Sequence, residues 1–312
     1  MRFCYHIQSH RSPAQLLRLV HQIKRMSPGS VVHISHDANG APLDTTALES
    51  LTDVYVQFHQ GGYGDFSHVD RHLMAIDWLA DEGIQVDWLI NLTGQDYPLI
   101  HLADAEAELA TSGADGFLEY WPALGPESHW GAHRARSRYF FRHRRLMPLS
   151  LRAKRLLRPV QVVNRLQPFV RVHVSYGLMV GRRVRTPFGP DLALYGGSAF
   201  MSLTWPTARY LRDFLRARPD VASHFRHTLS PVEAIIQTVL ANAPDLRLIP
   251  DPKRYFDFRG SQFNHPKTLT ADDLPQALAS GAHFGRKFDA DAYPETLDAL
   301  DAHLASLSPA QR

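Results

Sequence analysis

Short apolar runs and amphipathic segments take turns along roughly the first hundred residues, and this alternation restricts the possible folds more than any other feature of the chain. FCYHI, SVVHISHD, TDVYVQF and VDWLINLTG read as strands, whereas SPAQLLRLVHQI, HVDRHLMAIDWLADEG and DAEAELATSG space their apolar residues as helices do. Strand and helix in turn make βαβ units, which assemble into a mostly parallel sheet flanked by helices. Ser12 is the expected N-cap of the first helix with Pro13 at its first position, and Gly83 and Gly113 stand where the next two helices stop. Ligands of such sheets sit outside the carboxyl ends of the strands. The turn Gln95-Asp96-Tyr97-Pro98, which leaves a buried strand, is therefore the first place to look for a site.

At 312 residues, 44% apolar and 21% charged, the chain is expected to form one soluble α/β domain. Residues 1–115 would make a nucleotide-binding half and 116–312 a more irregular acceptor-binding and catalytic half. No run of about 18 apolar residues occurs, and a polar His-Gln-Ser-His-Arg-Ser segment stands where a signal peptide needs its apolar stretch. A cytoplasmic protein is expected. Cys4 is the only cysteine, so neither a disulfide framework nor a multi-cysteine metal site is available within the sequence.

The formal charge of +3 conceals an asymmetry. Between Glu127 and Asp191 there is no acidic residue, against fifteen Arg or Lys. A solvated face or loop accounts for this as well as an anionic partner does, because Phe140, Phe141 and Leu156 interleave with the cations. A lid over the substrates, an anionic acceptor or peripheral contact at the inner face of a membrane would each use such a stretch. No zinc-finger spacing or aromatic RNA-binding signature accompanies it, so no specific nucleic acid is expected.

Several residues are candidates for chemistry. Ser230, Pro231 and Glu233 satisfy a capping box, worth ~1 kcal/mol to a helix. A carboxylate at that position is also suited to act as a base, and the two roles are compatible. Asp96 is either a turn residue or a ligand contact. Gly196-Gly197-Ser198-Ala199 would bring backbone N–H groups to a phosphate or sugar, or form a simple bulge. His68 and His72, four apart on one helix face, lack a third ligand and read as surface residues. Asp289-Ala290-Asp291 reads as a chance match to a metal motif. Arg286 and Lys287 are adjacent cations that would point to opposite faces of a strand unless a bulge turns both inward. Two cations beside a diphosphate can replace a divalent ion.

DWLINLTGQDYPL, YGGSAFMSLT, SPVEAIIQTVLAN and SGAHFGRKFD occur in an order and spacing that resembles the core-2/I-branching β-1,6-N-acetylglucosaminyltransferases and peptide O-xylosyltransferases. CYHIQSHRSPAQLLRLVHQI and VVHISHD extend the likeness over nearly the whole chain. The resemblance implies a GT-A-like fold and an inverting transferase with a UDP-sugar donor and no metal or other cofactor. It implies that Glu233 is the general base, that Arg286 and Lys287 hold the diphosphate, and that Asp96 lies near the donor sugar. Asp37, with His36 beside it leaving the register open, matches the carboxylate that contacts uridine. Ser198 joins the donor side, and Glu119 and Tyr255 the acceptor side. A second basic residue of the branching enzymes falls near Asn264, and Lys267 is the candidate for its role. Animal members carry a membrane anchor and disulfides that are not seen here, so their glycoprotein acceptors are not implied. GlcNAc and xylose are the expected sugars, with glucuronic acid behind them. The acceptor is a glycan, a lipid-linked sugar or a small molecule. The alternatives are a non-catalytic nucleotide-sugar or glycan-binding domain and a basic nucleic-acid or membrane-surface binder.

Overall fold

Side chains of the first strand divide between two cores in the computed structural model, which describes residues 1–259 and 266–307. Phe3, Tyr5 and Ile7 enter one core and Cys4 the other, as the two-residue period of a strand requires. The βαβ pattern appears as β1 (Phe3–Ser9), α1 (Pro13–Met26), β2 (Val31–Asp37), β3 (Val54–His59), α2 (Ser67–Asp81) and β4 (Trp88–Thr93). The expected turn after β4 contains a short strand, β5 (Asp96–Pro98), followed by α3 (Leu102–Thr111), β6 (Gly116–Leu118) and β7 (Trp121–Pro122).

The basic stretch is folded. It comprises α4 (Ala132–Tyr139), β8 (Phe141–Met147), α5 (Leu151–Leu157), α6 (Val163–Leu166), β9 (Val170–His173) and β10 (Leu178–Arg183). Its strands form an antiparallel sheet in the order β8-β10-β9. The chain continues through β11 (Tyr195–Gly196), β12 (Met201–Thr204), α7 (Trp205–Ala217), α8 (Pro219–Phe225), α9 (Ile235–Ala241), β13 (Leu248–Ile249) and β14 (Arg254–Phe256). It ends with α10 (Leu274–Leu278), β15 (Phe284–Arg286) and α11 (Pro294–Ser306).

The main sheet has seven strands in the order β13-β6-β12-β4-β1-β2-β3, and β12 alone runs against its neighbours. This is the mostly parallel α/β sheet that was expected. Leu16 and Leu19 of α1, Leu109 of α3 and Leu300 of α11 fill the core on one face. Ile76 of α2, Leu211 of α7 and Val239 of α9 fill the core on the other. Each such side chain contributes about 1.5–3 kcal/mol by leaving water.

Beneath α2 the second face is polar. His6 and Gln8 of β1 and His33 and Ser35 of β2 are buried there with Arg71 and His72 of α2. Arg71 donates from Nε to the Ser35 Oγ at 2.8 Å and from Nη2 to the Ser9 carbonyl at 3.2 Å, clamping the carboxyl ends of β1 and β2 together. His72 is only 2% exposed, and His68 meets Gln8 through Nδ1 at 3.0 Å, so the expectation that these are surface histidines fails. Gln8 gives His68 a polar partner, and the His72 ring packs against that of His6, 5.5 Å between centres.

A small second sheet, β14-β15-β5, stands just beyond the end of β4. In it Arg286 is paired with Asp96, Gly285 with Tyr97 and Tyr255 with Gly285. The chain's last strand is thus brought back to the loop where a ligand was expected. Ser12 precedes α1 but adopts a left-handed conformation (φ 48°) and makes no cap; its hydroxyl donates to Asp291 at 3.2 Å instead.

Candidate active site

The carboxyl ends of β1, β2 and β4 lie along one edge of the main sheet, and β12 begins at the same edge because it runs in the opposite direction. Asp37 is the last residue of β2. Its Oδ1 accepts the backbone N–H groups of Asn39 and Gly61, each at 2.9 Å. Burial alone would raise this carboxyl, but those two N–H groups outweigh it and hold the group below the usual carboxylate range. His36 is buried, with its ring between the Ser9 hydroxyl (2.8 Å) and the Ala41 carbonyl (2.7 Å). Asp37 is therefore the more accessible of the two.

Asp96 has no exposed surface. Its carboxylate accepts the Thr93 N–H at 2.7 Å and the Thr93 hydroxyl at 3.0 Å, and Arg286 Nη1 stands 3.5 Å away. Burial pushes the Asp96 carboxyl up, while Arg286 and then Arg254 oppose the shift. Asp96 thus anchors Arg286. The guanidinium of Arg286 also lies over the Phe200 ring, 4.6 Å from its centre. β15 ends at Arg286, so strand alternation does not carry on to Lys287. Lys287 is held below its usual value by burial, then by Arg11 and Arg286. Arg11 acts on Arg286 in the same sense. A third cation, in the loop after β1, therefore acts on the pair, and its guanidinium lies 3.4 Å from Asp289. Sequence reasoning missed Arg11, whose position just past a parallel strand was the available signal.

Lys267 has a different setting. Its ammonium lies 2.6 Å from Asp273 and 3.2 Å from Asp257, a carboxylate that also receives Arg259 at 2.7 Å. The position near Asn264 falls outside the described residues. Asp289 and Asp291 are engaged by Arg11 and Ser12, and among the described residues no group of three His, Cys, Asp or Glu side chains is placed to hold a metal.

Glu233 does not close a capping box. Residues Pro231–Glu233 form a single 3-10 turn before α9, and Ser230 is left-handed (φ 49°) with no capping bond. The Ser230 hydroxyl meets the Tyr176 hydroxyl instead. Freed from the cap, the Glu233 carboxylate accepts Arg138 Nη1 at 2.7 Å. Arg138, on α4, is 10% exposed and Glu233 32%. Burial disfavours the charge on Arg138, and Glu233 overrides it and holds the guanidinium above its ordinary value. The Arg138 guanidinium also faces the Trp130 ring at 5.0 Å. Arg138 was not identified in advance, because nothing in its spacing marks it among fifteen Arg or Lys.

One short segment joins these groups. The Gly197 N–H donates to the Glu233 carbonyl at 2.9 Å, and three residues on, Phe200 carries the Arg286 guanidinium. The ends of this segment are no more than about 11 Å apart at Cα. Gly197 is required by crowding: a Cβ there would come within 1.8 Å of the Glu119 carbonyl. A Cβ on Gly196 would meet the Trp130 ring at 2.4 Å, so both glycines serve close packing. The Ser198 hydroxyl accepts the Phe200 N–H at 3.2 Å, and its carbonyl accepts Gln237 Nε2 at 2.5 Å. Asn91 of β4 fixes the far end by donating to the Ala199 carbonyl (2.9 Å) and accepting the Met201 N–H (2.8 Å). Glu119 is part-exposed, with its carboxyl raised by burial against the pull of His129. Tyr255 packs partly buried against the first core, on the small sheet that carries Arg286.

Asp37, Asp96 and the cations around β15 thus stand at the carboxyl edge of a mostly parallel α/β sheet. No family model matches the chain. It is 26% identical over 241 residues to a β-glucuronosyltransferase of Arabidopsis thaliana, GlcAT14A, a match covering 76% of this chain and 46% of that protein. GlcAT14B of the same plant is 27% identical over 238 residues, covering 75% and 47%. The chain therefore spans a little under half the length of these curated relatives. Both are glycosyltransferases of the glucuronosyl type, so the likeness supports a glycosyltransferase without singling out the branching enzymes or xylosyltransferases. TarS of S. aureus, solved in complex with UDP-GlcNAc, is 17% identical with a TM-score of 0.28, covering 38% of this chain and 34% of its own. An overlap of that size carries no argument.

Proposed function

We propose that this chain is an inverting glycosyltransferase domain that moves a sugar from a UDP-sugar to an acceptor hydroxyl. Glu233 takes the hydroxyl proton as the acceptor oxygen forms its bond to the anomeric carbon. The bond from that carbon to the diphosphate breaks on the opposite face, and the nucleotide leaves with the electron pair. Arg286, Lys287 and Arg11 balance the developing charge, a role in which one well-placed donor is worth about 3–4 kcal/mol of barrier. Asp96 keeps Arg286 in position. Asp37 is the proposed uridine contact, Ser198 lies on the donor side, and Glu119 and Tyr255 lie toward the acceptor. Lys267 would join the donor site only by leaving Asp257 and Asp273. Residues 1–115 supply the nucleotide side, completed by the cations of β15.

The observation that carries this proposal is the 197–200 segment, which bonds the backbone carbonyl of Glu233 at one end and lies under the Arg286 guanidinium at the other. The β-glucuronosyltransferase activity of the relatives agrees with a β-linked product and moves glucuronic acid up beside GlcNAc and xylose as the sugar. The acceptor is a glycan, a lipid-linked sugar or a small molecule.

Thermal stabilisation by UDP-GlcNAc, UDP-xylose and UDP-glucuronate identifies the donor, since ligand at 100 times its Kd adds ~2.7 kcal/mol. Donor turnover by the Glu233→Gln variant is expected to fall at least ~100-fold with donor-induced stabilisation retained. Undiminished turnover would remove the base. Stabilisation by donor without turnover in the native protein would favour a binding domain instead, a reading to which the Arg138–Glu233 pair lends weight. Full loss of activity in EDTA, restored by manganese, would remove the cations from the role given to them here.

A further inference from the structure

The tip of the Arg-rich subdomain combines two kinds of surface that water alone gives no reason to place together. Neither α5 nor the turn of Arg158–Val162 that follows buries a single residue. Leu156 is 82% exposed, Leu166 77% and Phe169 67%, and Leu146, Met147 and Leu151 are exposed in the same stretch of chain. Arg144, Arg152 and Arg158 are exposed on the same segment and have no carboxylate partner among the described residues. No acidic side chain exists between residues 128 and 190 to supply one.

We infer that the face built from residues 146–170 docks on an anionic lipid bilayer, its leucines and Phe169 entering the interface while the arginines meet headgroup phosphates. Charge complementarity selects this occupant. A second copy of the chain would bring one cationic face against another. A soluble polyanion would satisfy the arginines and leave the aliphatic side chains in water. An anionic bilayer takes both, the apolar groups below the headgroups and the cations among them.

The subdomain is tied firmly enough to dock as a preformed unit. His143 donates its N–H to the His227 carbonyl at 2.7 Å, and Arg145 Nη2 donates to the Tyr63 carbonyl at 2.6 Å. Arg138 and Tyr176 link it to Glu233 and Ser230, so the docked face belongs to the body that bears the proposed base. The inference does not depend on the catalytic reading, because its test measures binding alone.

Cosedimentation of the full chain with phosphatidylcholine vesicles containing about 30 mol % phosphatidylglycerol is expected to exceed that with phosphatidylcholine alone at least tenfold, and to collapse at about 0.5 M NaCl. The triple variant Leu156→Asp, Leu166→Asp, Phe169→Asp is expected to lose at least tenfold in partitioning at unchanged Tm, since all three side chains are exposed. Met74→Asp, an exposed apolar position on α2, is expected to change nothing. Replacing Arg144, Arg152 and Arg158 by Gln is expected to cost about fivefold per cation. Equal binding to the two vesicle types, or full binding by the triple Asp variant, would overturn the inference. So would a dimer that the triple Asp variant dissociates with no vesicle binding by the native chain, which would assign the face to a second copy.

Discussion

Arg138 and Glu233 are unequal partners. The guanidinium is nearly buried and the carboxylate a third exposed, so each depends on the other to a different degree. Removing the carboxylate strands a charge in a place that water reaches poorly, whereas removing the guanidinium leaves a carboxylate that can still hydrate. Glu233→Ala is therefore expected to lower unfolding free energy in urea by about 1–3 kcal/mol, and Arg138→Met by clearly less. The reverse order would mean that the pair is not held by burial of Arg138. Arg286 has a similar dependence on shape, since a planar group over Phe200 and beside Asp96 is not replaced by an ammonium. Arg286→Lys is expected to weaken donor binding at least ~10-fold by titration calorimetry with overall charge unchanged. At this scale the sequence marked Glu233, Arg286 and Lys287 through their motifs. It gave no sign of Arg138, whose partner is 95 residues away.

Among the elements, the 197–200 link is the most tightly constrained. Gly197→Ala would place a methyl group against the Glu119 carbonyl backbone, which has no rotamer by which to move aside. A loss of stability greater than ~2 kcal/mol is expected, with loss of transfer because Glu233 and Phe200 hang from the same segment. Gly29→Ala is the matched control. Nothing lies within 4 Å of a Cβ there, so the change is expected to be neutral or to stabilise by up to ~1 kcal/mol. Equal effects of the two variants in urea unfolding would show that crowding does not govern position 197. Strands β1, β2 and β4 were legible because their residues alternate or run apolar. β8 was not, although Phe141 and His143 point inward while Arg142 and Arg144 point outward. An inward histidine counts as polar in a sequence, and the alternation disappears.

For the molecule as a whole, the buried histidines couple stability to pH. Burial holds His33 and His72 down at about 4, with His59 and Arg71 adding to the effect on His33 and His33 adding to that on His72, and His143 likewise lies at about 4. Unfolded histidine takes a proton near pH 6.5, so these groups favour the native state fully above that value. Their contribution is lost as pH falls from 6.5 toward 4. Tm is expected to be level from about pH 8 to 7 and to decline below 6.5. His72, whose ring nitrogens have no hydrogen-bond partner among the described residues, is the most direct test. His72→Leu is expected to raise Tm more at about pH 5 than at about pH 8, and equal shifts at the two values would place the pH dependence elsewhere. Read along the chain, periodicity and turn chemistry were enough to declare a mostly parallel α/β sheet and the turn that leaves β4, because both depend on neighbours a few residues apart. Whether Ser230 caps a helix or meets Tyr176, which arginine faces Glu233, and whether Lys267 or Arg11 stands with Arg286 were decided only by packing. Those choices are competitions between partners distant in sequence, and the folded sheet brings only some of them within reach.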